Sequence, residues 1–365
     1  IATTSMWGDN RHWSMPSLTT GDIIDVHAYD GELRLEANPH HAQTYVHFIA
    51  AAQVEGKPLT VSEWNLPPPV RDRYVGPLWT AAMASLQQWD APMHYAYSIT
   101  KLEQPYNAHP WSALYDPAQM ALMPAAAVAF RAGHIKPAEK TYRFEMSRDA
   151  TYTQETSVVT SAAFRTLAEQ SRIVISLPDI PEFDWDTPAP KTPGAETVTD
   201  LTKDFLPKKG TSVTSDTGEI ERDWVTGILT VDTPGSQWAV GWLGGRTIEL
   251  GDVAIGLKTK HAAVAVTALD GKPLHDSGRI LLTTVARAKP GEAGKMPFAA
   301  EPVAGTVSFS SSKGPLEMVP LVRGHEDPVP TSAPIAAKAQ GDRWIFELPA
   351  GTPTHWFLVR PVPRG

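Results

Sequence analysis

Short hydrophobic runs alternate with longer amphipathic segments in the first third of the chain. Each run has the length of one strand, and the longer segments carry apolar residues at helical spacing. This alternation is typical of strand–helix units around a parallel sheet. The predicted strands are residues 1–6, 23–28, 59–64 and 93–97, and the predicted helices are residues 41–54, 78–89 and 117–132.

After about residue 135 the pattern changes to short strand-like runs separated by Gly, Pro, Asp and Ser. Such spacing is typical of an all-β region. Within it, residues 178–209 are rich in Pro, Asp, Thr and Lys, which favours a long surface loop. We therefore predict three parts: a strand–helix region over residues 1–135, a β-rich connection with a loop over 136–210, and a β-sandwich-like domain over 211–365.

Composition narrows the class of protein. The chain has 365 residues, of which 42% are hydrophobic and 20% charged, so neither a disordered chain nor a coiled coil is expected. The net charge of −8 argues against a nucleic-acid partner held through phosphates. No apolar run reaches the roughly 20 residues that span a bilayer, so no membrane partner is expected.

Cysteine is absent from the sequence, which excludes disulfides, thiolate zinc sites and cysteine nucleophiles. The histidines show no H-E-x-x-H or similar spacing, so we predict neither a metal nor another cofactor. A chain without cysteine suits export without disulfides, and a secreted or periplasmic location is the expectation.

Glu63 is the first candidate for chemistry. It stands near the end of the sequence Pro-Leu-Thr-Val-Ser-Glu-Trp-Asn, residues 58–65, where an apolar strand closes on a carboxylate, an indole and an amide. The carboxyl ends of parallel strands are where such sheets bind ligands. A structural role is the alternative, in which Glu63 caps the next helix or pairs with Arg71 or Arg73.

A second strand end, Asp-Val-His-Ala-Tyr, places Asp25, His27 and Tyr29 on one face because strand side chains alternate with a period of two. His and Tyr at such a position can hydrogen-bond a neighbouring carboxylate and fix its charge state. The alternative is a histidine that is satisfied within the core.

Aromatic residues recur where the predicted strands end. Sugars offer apolar ring faces that stack on aromatic side chains, and a hydroxyl rim that needs polar partners. The pattern therefore indicates a sugar cleft, although any one of these aromatics could instead belong to the core. The candidates for substrate contact are Trp7, Trp64, Asn65, Tyr97 and Trp111.

The strand ends S-x-W-G, D-x-H-x-Y, V-S-E-W-N and Y-A-Y-S, in that order, resemble strands five to eight of the (β/α)8 retaining glycoside hydrolases of the cellulase-like superfamily. The resemblance covers residues 1 to about 133. It implies an α/β plus all-β fold, with half of a (β/α)8 barrel followed by β-sandwich structure. It also implies cleavage of a β-linked polysaccharide or oligosaccharide, with Glu63 as nucleophile, Tyr29 bonded to it and His27 lining the subsite. Trp111, or another indole after the last strand, would form the sugar platform.

The sequence departs from this family in two ways. The family keeps its acid/base in an Asn-Glu pair at the end of strand four, and this chain contains no Asn-Glu dipeptide. Strands one to four have no counterpart, so a second polypeptide, a second copy of the chain, or the β-rich region would have to complete the sheet. If a second polypeptide completes the sheet, which is the explanation we favour, the acid/base lies outside this chain. Under the other two explanations, Glu103 or Asp25 would have to protonate the leaving group, or catalysis is absent. The alternative function is a carbohydrate-binding protein that has lost the acid/base.

Overall fold

The computed structural model describes residues 2–7, 15–30, 34–99, 101–102, 107–148, 151, 158–177, 191–322, 329–330, 333–349 and 354–363. The chain divides into two compact units. The first unit comprises Ile1–Pro67, Met83–Tyr97 and Lys136–Val225, and the second comprises Pro68–Ala82, Ser98–Ile135 and Thr226–Gly365. The described helices are α1 (Met15–Leu18), α2 (Tyr45–Ala50), α3 (Val75–Gln87), α4 (Pro117–Met120), α5 (Met123–Arg131) and α6 (Ala162–Leu167).

A four-stranded parallel sheet forms one part of the first unit. Its strands are neighbours in chain order. They run parallel because each connection carries the chain back to the same end of the sheet. Buried aliphatic side chains, including Ile24, Val26 and Val61, pack its interior. The strands are β1 (Ala2–Trp7), β2 (Ile23–Tyr29), β3 (Leu59–Asn65) and β4 (Ala91–His94).

A second parallel sheet in the first unit has three strands in the order β6-β5-β7. Helix α6 connects β5 to β6, and Ser161 caps it by accepting a hydrogen bond from the backbone N–H of Phe164 at 3.1 Å. An antiparallel hairpin, β8–β9, follows. The strands are β5 (Thr141–Glu145), β6 (Arg172–Ser176), β7 (Glu196–Val198), β8 (Ser212–Thr214) and β9 (Ile220–Asp223).

Two buried arginine–carboxylate pairs lie in the first unit. Arg143 donates to both oxygens of Glu55, and Arg222 donates to both oxygens of Glu169. Burial pushes the pKa of Glu55 upward, but the hydrogen bonds from Arg143 and Thr192 outweigh it and hold that pKa below the usual range. Both pairs join segments that are far apart in the sequence, so they fix tertiary contacts within this unit.

His47, in the first turn of α2, is completely buried and hydrogen-bonded at both ring nitrogens. Its Nδ1 accepts from the backbone N–H of Thr44 at 3.0 Å, and its Nε2–H donates to the carbonyl of Arg165 at 3.1 Å. This pairing needs the neutral ring, because a proton on Nδ1 would displace the Thr44 N–H. Burial also disfavours the charged ring, and it lowers the pKa of His47 below its usual range.

The first unit should therefore lose stability when the pH falls below the pKa of an unfolded histidine, because the unfolded state then binds a proton that folded His47 does not. Between pH 7.5 and pH 5.5 this costs on the order of 1 kcal/mol. Urea unfolding of wild type and of His47→Gln at both pH values measures it. We expect the stability difference between the two proteins to narrow by that amount at pH 5.5, whereas a constant difference would contradict the assignment.

The second unit is built mainly of antiparallel strands. One sheet runs in the order β20-β19-β24-β15-β14-β11-β10, with β21 also paired to β19. A five-stranded sheet runs β12-β13-β18-β23-β22. The strands are β10 (Ile228–Asp232), β11 (Ser236–Trp242), β12 (Thr247–Glu249), β13 (Val253–Leu257), β14 (His261–Ala268), β15 (Ile280–Ala286), β16 (Ala288–Pro290), β17 (Phe298–Ala300), β18 (Gly305–Ser310), β19 (Leu316–Val322), β20 (Val329–Pro330), β21 (Ile335–Ala336), β22 (Lys338–Gln340), β23 (Arg343–Glu347) and β24 (Trp356–Pro361).

A large hydrophobic cluster of described residues lies in the core of the second unit. It contains side chains from both antiparallel sheets, such as Ile255 and Phe309 from one and Val264 and Phe357 from the other. Gly305 opens β18 with a φ of +147°, and a Cβ there would lie 2.3 Å from a carbonyl oxygen of the adjacent strand. Glycine is required at that position because only its backbone tolerates both conditions.

The fold class predicted from the sequence is wrong. Strand accounts for 37% and helix for 17% of the structure, which is dominated by a large antiparallel sheet and is not half of an α/β barrel followed by a sandwich. Helices α1, α2, α4 and α6 have only four to six residues, too short for the helical layer of a barrel. Hydrophobic periodicity locates segments of the chain, whereas the number and direction of their partners depend on contacts distant in sequence.

The region between the two predicted end domains also differs from expectation. Residues 158–160 lie in the region where short strand-like runs were predicted, and they form a 3₁₀ turn. β7 lies inside the stretch predicted to be a loop, and it pairs in parallel with β5. Residues 178–190 of that stretch lie outside the described residues.

Candidate functional site

Glu63 lies near the carboxyl end of β3, and 26% of its side chain is exposed. The phenol of Tyr29 donates a hydrogen bond to Glu63 Oε2. His27 Nδ1 lies 3.4 Å from the same oxygen. The structure thus brings together the three residues for which the sequence predicted a shared role, and the Glu63 side chain remains partly exposed.

A β-bulge in β3 places these groups. Between the pairs Asp25–Thr60 and His27–Glu63, β2 advances by two residues while β3 advances by three. The same extra residue appears against β4, so the irregularity belongs to β3. A bulge breaks the strict alternation of side chains, and Ser62 and Glu63, although consecutive, can therefore both contact His27.

Asp25 forms a polar cluster beneath His27. Its Oδ1 accepts from Thr60 Oγ1 at 2.6 Å and from the backbone N–H of Ser62 at 3.0 Å, and its Oδ2 accepts from Ser62 Oγ at 2.5 Å. Ser62 Oγ lies in turn 3.1 Å from His27 Nε2. Hydrogen-bonding contacts therefore run from Asp25 through Ser62 to His27, whose other ring nitrogen lies 3.4 Å from Glu63 Oε2.

Tyr29 remains a hydrogen-bond donor over the whole physiological pH range. Burial and the hydrogen bond to Glu63 raise the pKa of its phenol far above the usual value. A phenol that keeps its proton can stabilise the negative charge of Glu63 through its hydrogen bond. It also orients that carboxylate, and it adds no second negative charge beside it.

Trp64 and Asn65, predicted as substrate contacts, are buried. Trp64 is 3% exposed and its ring packs edge-on against His94, with the ring centroids 4.8 Å apart. Asn65 is fully buried and donates to the carbonyl of Tyr95 at 2.5 Å. Trp64 Nε1 and Asn65 Oδ1 are buried and have no hydrogen-bond partner among the described residues. Both residues support the end of β3 rather than offering a surface to a ligand.

The other predicted contacts are distributed differently. Tyr97 is 43% exposed in the first unit, and Trp111 is half-buried in the second. Trp7 ends β1 opposite His27 in register, but its side chain lies outside the described part of the chain. Glu103 also lies outside the described residues. Arg73, considered as a partner for Glu63, instead pairs with Asp116 within the second unit.

Sequence reasoning missed Ser62. Strict alternation along β3 places Ser62 and Glu63 on opposite faces, and nothing in the sequence signals the extra residue of the bulge.

Within the described ranges, no cluster of three or more His, Asp or Glu side chains is arranged to hold a metal ion. None of the helices described is long and apolar enough to cross a membrane.

The chemistry available at this site follows from its own residues. A partly exposed carboxylate, oriented by a phenol and an imidazole, can act as a nucleophile, as a general base or as a ligand for a cationic or hydroxylated group.

Comparison of the chain with models of protein families, with curated proteins and with solved structures finds no match in any of the three.

Proposed function

We propose that this protein is a retaining glycoside hydrolase that acts on β-linked polysaccharides or oligosaccharides, with Glu63 as the nucleophile. One observation supports this function above all: Glu63 is partly exposed at a strand end, and its Oε2 is held by Tyr29 and faced by His27. A nucleophilic carboxylate must be oriented toward the anomeric carbon and must keep its charge until attack.

In the proposed reaction, Glu63 attacks the anomeric carbon as the glycosidic C–O bond breaks, and the leaving oxygen takes a proton from a general acid. Water then attacks the anomeric carbon of the glycosyl-enzyme ester, which releases the Glu63 carboxylate and gives net retention. The Tyr29 phenol stabilises the carboxylate before attack and again as the ester breaks down. The exposed ring of Tyr97 offers a surface on which a sugar could stack.

The general acid lies outside this cluster. Asp25, its other carboxylate, is 7% exposed at the side chain and accepts three hydrogen bonds from Thr60 and Ser62. A carboxylate occupied in this way cannot approach a leaving-group oxygen. We therefore assign Asp25 no proton transfer to substrate.

Trapping of the covalent intermediate tests the function directly. A 2-deoxy-2-fluoro glycoside with a dinitrophenyl leaving group needs no general acid, and its fluorine slows breakdown of the ester. We expect the intact mass of the protein to rise by one fluoroglycosyl unit and peptide mapping to place the adduct on Glu63. Gluco, galacto, manno and xylo forms should be tried, because the site does not identify the sugar.

Two variants make this experiment specific. Glu63→Gln should form no adduct, whereas Glu139→Gln, which alters an exposed carboxylate in the same unit, should be labelled like wild type. A label on a different carboxylate, or none with any of the four sugars, would contradict the assignment of Glu63 as nucleophile.

A carbohydrate-binding protein without hydrolytic activity is the second candidate. The engagement of Asp25 by Thr60 and Ser62 and the lack of an Asn-Glu dipeptide in the sequence favour it. It predicts that oligosaccharide binding, measured by titration calorimetry, is unchanged in Glu63→Gln and that no aryl glycoside is cleaved. The hydrolase predicts cleavage by wild type and its loss in that variant.

A further inference from the structure

We infer that Asp25 and Ser62 are positioning residues that fix the protons of His27, so that the neutral ring carries its proton on Nε2 and turns Nδ1 toward Glu63. This inference deepens the function proposed above and relies on it for its catalytic meaning. The proton arrangement itself follows from the hydrogen bonds of four residues and can be measured without any substrate.

The orientation of the Ser62 hydroxyl is set by Asp25. The backbone N–H of Ser62 donates to Asp25 Oδ1 at 3.0 Å, and Thr60 Oγ1 reaches the same oxygen at 2.6 Å. The other oxygen, Asp25 Oδ2, accepts a hydrogen bond from Ser62 Oγ at 2.5 Å. A carboxylate only accepts hydrogen bonds, so the single hydroxyl proton of Ser62 points at Asp25.

Ser62 Oγ can then offer only a lone pair to His27. His27 Nε2 lies 3.1 Å from that oxygen, so Nε2 must carry the proton of this hydrogen bond. The tautomer of His27 is thus dictated by a carboxylate that is not its direct partner, since Asp25 Oδ2 lies 3.8 Å from Nε2. Second partners of this kind commonly set the tautomer of a functional histidine.

The tautomer of His27 determines which group of the ring faces the proposed nucleophile, Glu63. His27 Nδ1 lies 3.4 Å from Glu63 Oε2, and in the neutral ring this nitrogen presents a lone pair to the carboxylate. Asp25 and Ser62 therefore leave Nδ1, which carries no proton in the neutral ring, as the ring nitrogen nearest to the nucleophile.

Asp25→Asn should reverse the arrangement. The N–H of Ser62 requires an acceptor, so the amide oxygen of the new side chain takes the place of Oδ1 and its NH₂ group faces Ser62 Oγ. Ser62 then accepts from that amide and donates its own proton to His27 Nε2. The neutral ring must move its proton to Nδ1, where it donates to Glu63.

Nitrogen-15 NMR of protein labelled at histidine tests this inference. The two tautomers are distinguished by the shifts of the ring nitrogens and by their couplings to the ring protons, and His27→Gln identifies the signals of His27 by their disappearance. In the basic part of a pH titration, we expect wild type to show the Nε2–H form and Asp25→Asn the Nδ1–H form. An Nδ1–H ring in wild type, or the same tautomer in both proteins, would overturn the inference.

A matched control and a second variant complete the design. Asp90→Asn alters an exposed carboxylate that accepts the backbone N–H of Leu59 at the opposite end of β3, and the His27 signals should remain as in wild type. If Asp25→Asn does not fold, Ser62→Ala serves instead and should leave a mixture of both tautomers. A tautomer exchange in a protein that cleaves no glycoside would refute the proposed function and leave the proton arrangement standing.

Discussion

Glu63→Gln should lower kcat for an activated aryl β-glycoside by roughly 10⁴-fold or more, which is at least about 5 kcal/mol of transition-state stabilisation. The amide has nearly the shape of the carboxylate but cannot form the glycosyl ester. Tyr29 can still donate to the amide oxygen, so the variant should fold normally and KM should change little. Initial rates with a dinitrophenyl glycoside, together with circular dichroism, measure both properties.

Chemical rescue separates loss of the nucleophile from loss of structure. Glu63→Ala opens a space in front of the anomeric carbon that a small anion such as azide can occupy. With azide added, we expect cleavage to recover and the product to be the α-glycosyl azide, because a single displacement inverts the anomeric centre. A wild-type rate in either Glu63 variant, or a β-glycosyl azide from Glu63→Ala, would contradict a nucleophilic role.

Part of the candidate site follows directly from the sequence. Alternation along β2 places Asp25, His27 and Tyr29 on one face, and the parallel arrangement of β2 and β3 brings Glu63 opposite them. These steps need only local geometry and the adjacency of two strands. The structure shows Glu63 in contact with Tyr29 and His27, of which the bond to Tyr29 was expected from the family resemblance.

The rest of the site depends on the bulge and on burial, which a single sequence does not encode visibly. Thr60 and Ser62 both bond Asp25, as alternation predicts, but the extra residue in β3 brings Glu63 to His27 as well, against the alternation expected. An aromatic residue at a strand end can stack on a sugar or fill the core, and only the packed structure shows that Trp64 does the latter. The same limit applies to the fold, because β7 pairs with β5 across more than fifty residues.

Arg222→Met should destabilise the first unit by about 3–5 kcal/mol, because it breaks a buried ion pair and removes the guanidinium that neutralises the Glu169 carboxylate. Arg222 is 1% exposed, and its guanidinium donates to Glu169 Oε2 at 2.6 Å and to the carbonyls of Leu35 and Ala37 at 2.6 and 2.8 Å. Methionine fills much of the same volume but supplies none of these hydrogen bonds. Urea dependence of hydrogen–deuterium exchange in the peptides of β2 and β6 reports on this unit alone.

The double variant Arg222→Met/Glu169→Leu decides whether the lost stability comes from the uncompensated charge or from the lost connection between segments. If the charge dominates, removing Glu169 as well should restore most of the stability, because an apolar pair can replace a buried ion pair at little cost. Lys136→Met is the surface control: it removes a lysine, 68% exposed, that pairs with Glu219 in the same unit, and it should change stability far less. A double variant no more stable than Arg222→Met would show that the bonds to Leu35 and Ala37, rather than the charge on Glu169, account for the effect.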